Sequence, residues 1–140
     1  MKKRLPIGND DFAEVRRQNL YFIDKSLMIR DFLDTGDKVT LITRPRRFGK
    51  TLNMTMLREF FDITKDSRQL FQGLSIMDTE YASQINSRPV IFLTLKDCKG
   101  TTAQEMLLLM KKQIYLEYMR YEKNMKGEKD HDQGNCVRQS

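Results

Sequence analysis

The sequence is poor in the residues that build metal centres and disulfide frameworks. It contains two cysteines, Cys98 and Cys136, and one histidine, His131, among 140 residues. The cysteines lie far apart and no CxxC pair is present, so a metal site of the Cys/His type is not expected. Sparse cysteine use is typical of proteins that fold in a reducing cytosol. The cytoplasm is therefore the predicted location of this chain.

Long apolar runs are also lacking. The basic start, MKKRLPIGNDDF, is not followed by the apolar stretch that a secretory signal requires. No segment approaches the roughly 20 consecutive apolar residues of a membrane-spanning helix. We therefore expect neither a cleaved leader nor a membrane partner.

Positive charge is what the sequence has in excess. Lys and Arg number 25 against 19 Asp and Glu, which gives a formal net charge of +6 and an isoelectric point of about 9.4. Such an excess favours anionic partners. At 140 residues and 16.6 kDa the chain is long enough for one domain and too short for two. We place that domain at residues 5–122 and predict a disordered polar tail at residues 123–140.

Two amphipathic helices are predicted on either side of the centre of the chain. The segment DKSLMIRDFLDTG begins at Asp24, has apolar residues on one helical face and ends in a glycine stop. Asp24 is interpreted as its N-cap, the alternative being that Asp24 or Lys25 lies near a bound nucleotide. The second helix opens with Thr102 and Glu105 at capping-box spacing and continues with apolar residues at three- and four-residue steps.

The centre of the chain predicts a strand, a loop and a helix in succession. KVTLIT, residues 38–43, is β-branched and apolar, the composition of a buried strand. After the loop, apolar residues recur every four positions from Leu52 to Phe60 and indicate a helix over about residues 49–62. PVIFLTL, residues 89–95, is predicted as a second strand. Two strands joined through a helix imply a right-handed parallel βαβ unit, so the predicted fold class is α/β, a partial P-loop NTPase fold with an incomplete sheet.

The loop LITRPRRFGKT has the length and the ending of a phosphate-binding loop. In the pattern GxxxxGK[ST], backbone N–H groups cradle the phosphates, the lysine reaches the terminal phosphates and the hydroxyl residue holds Mg²⁺. Those last two roles fall on Lys50 and Thr51, while Arg44 occupies the first glycine position without removing the N–H groups nearest the β-phosphate. We therefore predict ATP and Mg²⁺ as cofactors, with Thr51 on the metal side. The predicted nucleotide-binding residues are Arg44, Pro45, Arg46, Arg47, Phe48, Gly49, Lys50 and Thr51.

Two other interpretations of the loop stay open. GKT can be a chance tripeptide at a helix start, with the arginines forming a solvated basic turn. The same arginines, together with Lys2, Lys3 and Arg4, can contact a nucleic-acid backbone, because that affinity comes mostly from charge neutralisation. No aromatic stacking set interleaves them, however. Nucleotide binding is preferred because an apolar segment precedes the loop and an amphipathic helix follows it.

Several motifs occur in an order that resembles one family. They are LPIGNDDF, LYFIDKS, RPRRFGKT, FFD, LFQGLSI and PVIFLTLKD, and together they span about residues 5–120. This order is similar to the N-terminal part of the AAA-ATPase-like proteins, P-loop NTPases in which RPRRFGK[ST] is the usual form of the loop. The resemblance implies that Arg44 is a family trait and that Lys50 and Thr51 are the Walker A lysine and the magnesium-side hydroxyl. Members of this family often carry a nuclease-like domain further on.

An acidic pair for hydrolysis is not found in the sequence. A P-loop ATPase needs a carboxylate near Mg²⁺ at the end of a neighbouring strand, and the resemblance implies a strand that ends in Asp-Glu. The nearest substitute is Asp97, but Lys96 precedes it and the resemblance assigns that segment elsewhere. The catalytic residues therefore stay unknown, and hydrolysis by this chain alone is not expected. We expect the first part of a longer, truncated ATPase, whose partners are a missing C-terminal portion or further copies of itself; the contrasting hypothesis is a non-functional remnant.

Overall fold

Helices make up the regular structure of this protein. The structure, a computed structural model, describes residues 2–43 and 49–132. The chain divides into two compact units, Met1–Val90 and Ile91–Ser140, which we call the N-terminal and C-terminal units. Within the described ranges the elements in chain order are α1 Phe12–Arg17, α2 Leu27–Thr35, α3 Lys50–Phe61, α4 Arg68–Phe71, the 3₁₀ segments Ser75–Asp78, Glu80–Gln84 and Leu95–Asp97, and α5 Ala103–Asp132.

Helix α3 is the centre of the N-terminal unit. It runs from Lys50 to Phe61, with Gly49 as N-cap and Asp62 as C-cap, which confirms the helix predicted from the spacing. Met56 and Phe60 are buried on its apolar face. A four-residue spacing brings such side chains to one side because an α-helix makes a turn every 3.6 residues.

A cluster of phenylalanines forms the core of the same unit. The Phe60 ring centroid lies 5.1 Å from that of Phe61 and 5.3 Å from that of Phe71, and Phe12 lies 4.8 Å from Phe71. These rings come from α1, α3 and α4, so the core joins helices that are distant in sequence. Burial of each such side chain contributes about 1.5–3 kcal/mol. These ring contacts of Phe60 and Phe61 hold the C-terminal half of helix α3 in the core.

Helix α2 confirms the prediction of an amphipathic helix with a glycine stop. It ends at Thr35, and Gly36 follows with φ 62° in the left-handed region that glycine favours. Ile29 is fully buried, and Phe32 packs against the same core. The N-cap is Ser26, two residues after the one that the sequence indicates.

The predicted α/β fold, a partial P-loop NTPase fold with a parallel βαβ unit, is wrong. The structure is mostly helical, and neither a strand nor a sheet occurs within residues 2–43 and 49–132. The closest approach to one in these ranges is an isolated parallel bridge between Asp62 and Arg88, where Arg88 N donates to Phe61 O at 2.9 Å.

The two segments predicted as strands have irregular backbones. Residues 38–43 contain no regular element, and residues 89–95 lead into the 3₁₀ segment Leu95–Asp97, so Asp97 does not end a strand. A strand exists only through the hydrogen-bond ladder that it shares with a neighbour, and the described residues form no such ladder. Val39 and Leu41 are accordingly 85% and 83% exposed. Apolar β-branched composition indicates how a segment fits into a sheet, not whether the sheet is present.

The C-terminal unit is built on the long helix α5. Its start confirms the predicted cap, because Glu105 N donates to Thr102 Oγ1 at 3.2 Å. The Glu105 carboxylate in turn accepts hydrogen bonds from the hydroxyl and the N–H of Thr101, both at 2.8 Å, and these hold the pKa of Glu105 below its usual value. The helix ends at Asp132. Residues 133–140 lie outside the described residues, so the division into a domain at 5–122 and a disordered tail stays a prediction.

Helix α5 has 30 residues, the length at which a membrane span has to be considered. Charged side chains interrupt its apolar residues along most of that length. Of the helices that the structure describes, none is both long and apolar enough to cross a membrane.

Candidate functional site

The candidate site is the start of helix α3. Gly49, the N-cap, has φ 78° and ψ 22°, a left-handed conformation. A Cβ at this position would meet no atom within 4 Å, so the backbone conformation, and not crowding, favours glycine here. Lys50 and Thr51 follow in the first helical turn, where Lys50 is exposed and Thr51 is half-buried. The glycine therefore turns the chain into a helix that begins with these two side chains.

The electrostatics of this helix start suit an anion. The N-cap is a glycine, which has no side chain that could bond to the first N–H groups of the helix. The first turn contains no acidic residue. Asn53 N makes the first intrahelical bond, to Gly49 O at 2.9 Å, so the N–H groups before it point out of the helix end. Aligned peptide dipoles add partial positive charge at the same end. With the Lys50 ammonium, the arrangement can bind a phosphate.

Contacts with the first helix hold α3 one turn beyond the site. Phe12 N donates to Thr55 Oγ1 at 3.0 Å, and Thr55 Oγ1 lies 3.0 Å from Leu52 O, to which it donates. Arg58 Nη2 lies 3.0 Å from Asp11 Oδ2. Because Thr55 is buried, a shift of the helix start would leave buried polar groups unpaired, at a cost of about 1–3 kcal/mol each.

A buried carboxylate anchors the other end of α3. Glu59 accepts hydrogen bonds from Lys65 Nζ at 2.7 Å and from Ser67 Oγ at 3.1 Å. Asn86 Nδ2 donates to the carbonyl oxygens of Glu59 and Asp62 at 3.1 and 2.9 Å. The Glu59 side chain is only 3% exposed. Its carboxylate is therefore stabilised by Lys65 and Ser67 in place of water. The helix is therefore fixed at both ends of its length, while Lys50 at its start is exposed.

Three of the predicted nucleotide-binding residues lie together at this helix start: Gly49, Lys50 and Thr51. The other five, Arg44, Pro45, Arg46, Arg47 and Phe48, lie outside the described residues. Their contribution, and the role of Thr51 toward Mg²⁺, stay predictions. The donor set that is described fits the predicted ligand, because N–H groups, an ammonium and a hydroxyl at one helix start are what a metal-bound phosphate requires.

Asp24 does not cap a helix. Its carboxylate accepts from Ser26 N at 2.9 Å and from both the N–H and the hydroxyl of Ser75 at 2.8 Å. Partial burial alone would raise the pKa of Asp24, but these hydrogen bonds outweigh it and hold that pKa below its usual value. Asp24 thus connects the segment before α2 to the 3₁₀ segment Ser75–Asp78. Its carboxylate is engaged there, so Ser26, and not Asp24 as the sequence predicts, is the N-cap of α2.

The buried polar residues of α3, Asn53, Thr55 and Glu59, are not singled out by the sequence patterns. Glu59 lies three positions after Met56, on the face that the apolar spacing already marks as buried, so a charged residue at that spacing was a usable signal. Asn53 is 4% exposed, and its Nδ2 has no hydrogen-bond partner among the residues that the structure describes. Sequence offers no signal for Asn53, because an unpaired donor depends on neighbours from other helices.

Similarity to known proteins supplies the family. The curated protein described as "Uncharacterized protein in vnfD 5'region", from Azotobacter chroococcum mcd 1, is 37% identical over 78 residues. That alignment covers 55% of this chain and 14% of the relative, so the chain spans a small part of the relative's length. No solved structure matches this chain. Residues 6–139 match the family described as Predicted AAA-ATPase, and the chain belongs to this AAA-ATPase-like family.

Proposed function

We propose that this chain binds ATP or a related nucleotide with Mg²⁺ through residues 44–51, as the phosphate-binding part of an AAA-type ATPase. The observation that carries the proposal is the start of α3. There a left-handed Gly49 leads directly into Lys50 and Thr51, with neither a capping side chain nor an acidic residue in the first turn. Membership of the Predicted AAA-ATPase family supports the same ligand.

Each described residue has a distinct role in this proposal. The N–H groups of Lys50 and Thr51 donate to phosphate oxygens, because they precede the first intrahelical bond. The Lys50 ammonium screens the charge of the terminal phosphates. The Thr51 hydroxyl would hold Mg²⁺, and the bound metal would neutralise charge on the phosphates. Binding is the proposed act; because no acidic pair is found for hydrolysis, we expect the 140-residue chain to release little phosphate.

A titration with a fluorescent ATP analogue in the presence of Mg²⁺ tests the proposal. Hydrogen bonds to charged groups contribute about 1.5–3 kcal/mol, so Lys50→Ala is expected to raise the dissociation constant roughly 10- to 150-fold. Lys99→Ala is the matched control, since Lys99 is also exposed but lies in the C-terminal unit. Equal affinities of the wild type and Lys50→Ala, or no binding by the wild type, would exclude the site.

A nucleic-acid interface is the alternative, and the exposure of Lys2, Lys3 and Arg4 is what favours it. Binding of this kind weakens steeply with salt, because it releases counterions from the phosphate backbone. We therefore add duplex DNA to the same titration at two salt concentrations. Salt-dependent DNA binding that neither ATP nor Lys50→Ala changes would favour the alternative over nucleotide binding.

A further inference from the structure

Helix α5 carries a stripe of exposed large apolar residues. Leu108, Tyr115, Tyr118 and Met125 are between 61% and 68% exposed. Off this stripe, Met106, Leu107 and Leu116 are less exposed, at 47–56%, and Ile114 is half-buried. Exposed apolar side chains are common singly, but a contiguous stripe of them is typical of an interaction surface.

The spacing of the stripe is that of a helix–helix seam. Lys111 and Glu122 complete it, so that its members follow one another at steps of three, four, three, four and three residues. Alternating steps of three and four keep side chains on one face of an α-helix, as in the a and d positions of a coiled coil. The six residues, which we call the 108–125 stripe, are Leu108, Lys111, Tyr115, Tyr118, Glu122 and Met125.

The stripe has apolar residues at its two ends, two tyrosines at its centre and opposite charges at the positions between, Lys111 on one side and Glu122 on the other. An antiparallel copy centred between Tyr115 and Tyr118 places Leu108 opposite the partner's Met125 and Tyr115 opposite the partner's Tyr118. Lys111 then faces the partner's Glu122, and Glu122 faces the partner's Lys111. A two-fold interface is self-complementary in this way, because both copies use the same surface and every contact between two residues therefore occurs twice. A parallel copy would instead place Lys111 against the partner's Lys111.

We propose that the 108–125 stripe is a homodimer interface in which two α5 helices pack antiparallel. Four tyrosines form its centre, a lysine–glutamate pair flanks them on each side, and a leucine–methionine pair lies at each end. Tyrosine and methionine are residues that protein interfaces favour. The stripe is about 25 Å long at 1.5 Å per residue, so the dimer is small and its association is weak and concentration-dependent. This proposal is independent of nucleotide binding, because it uses another element and another surface.

Charge reversal of the full chain tests the pairing. Sedimentation velocity from about 1 µM to about 1 mM covers the range of weak association. Lys111→Glu or Glu122→Lys replaces two attractions per dimer with two repulsions, and each is expected to weaken dimerisation roughly tenfold. The double variant Lys111→Glu/Glu122→Lys restores both attractions in the antiparallel dimer. In a parallel dimer the double variant would restore nothing, since like charges would still face each other.

Controls separate this interface from general charge effects. Lys123→Glu makes the same change of net charge as Lys111→Glu, on an exposed position of α5 outside the stripe, and is expected to leave dimerisation unchanged. Far-ultraviolet circular dichroism checks that each variant keeps its helix. Glu122 also interacts within its own chain, so recovery in the double variant is the decisive result. A monomeric wild type up to about 1 mM, single reversals that match Lys123→Glu, or a double variant no tighter than the singles would each overturn the proposal.

Discussion

The two units of this chain bury their apolar residues to different degrees. Among the described residues, every buried apolar side chain except Cys98 belongs to the N-terminal unit. Phe12, Phe60 and Phe71 are fully buried there. In the C-terminal unit, by contrast, Phe92 lines a groove of about 360 Å³ with side chains of α5, and much of the helix is exposed.

This difference teaches where apolar side chains find partners. Short helices that alternate with loops can turn back on one another, so the N-terminal unit closes its core from its own elements. A single long helix cannot fold back on itself, so part of the apolar surface of α5 stays exposed. We expect the stability of the chain to come chiefly from the N-terminal unit. The first of three variants tests this expectation, and the other two compare contributions within that unit.

Phe60→Ala is expected to have the largest effect. Removal of a fully buried phenylalanine from a core costs about 3–5 kcal/mol, because a cavity replaces its contacts with neighbouring rings. Leu108→Ala is the matched truncation in the C-terminal unit and is expected to cost about 0.5 kcal/mol or less. Urea unfolding of both variants measures the two free energies at a concentration where the chain is monomeric. Similar losses in the two variants would contradict the comparison.

Glu59→Gln is expected to have an intermediate effect within the N-terminal unit. The amide keeps the shape of the side chain but loses the charge that Lys65 Nζ contacts at 2.7 Å, at a cost of about 1–3 kcal/mol. Glu14→Gln is the control, because the side chains of the Glu14–Arg17 pair are 48% and 61% exposed, respectively. Exposed pairs contribute roughly 0–1 kcal/mol. Thermal unfolding compares them. An equal decrease in melting temperature in Glu59→Gln and Glu14→Gln would show that burial does not increase the contribution of Glu59 to stability.

Asp24→Asn is expected to have the smallest effect, and one that depends on pH. The pKa of Asp24 is lowered in the folded chain, so its contribution is fully present above its usual pKa of about 3.9 and disappears as the pH falls through the folded value. The wild type should therefore melt above the variant at neutral pH, with a difference that shrinks below about pH 4. Solvent screening of this partly exposed group keeps the difference small. A difference that is constant with pH would assign the effect to shape instead of charge.

Local patterns predict helices α2, α3 and α5 correctly. The apolar spacing after Gly49 and the capping residues before α5 act over three or four residues, so they are visible in the sequence. The adjacency of Gly49, Lys50 and Thr51 at a helix start is also local. The predicted strands at 38–43 and 89–95 depended on distant partners, and their composition alone was not sufficient.

The sequence by itself therefore determined the family and the helix that begins at Lys50. Only the tertiary structure decided that the described chain is helical, that Glu59 is held by Lys65 and Ser67, and that Asp24 bonds to Ser75 instead of capping α2. The physical reason is the range of the interactions. Helical hydrogen bonds join residues four apart, whereas sheet pairing, buried ion pairs and loop ties join residues whose proximity exists only after the chain has folded.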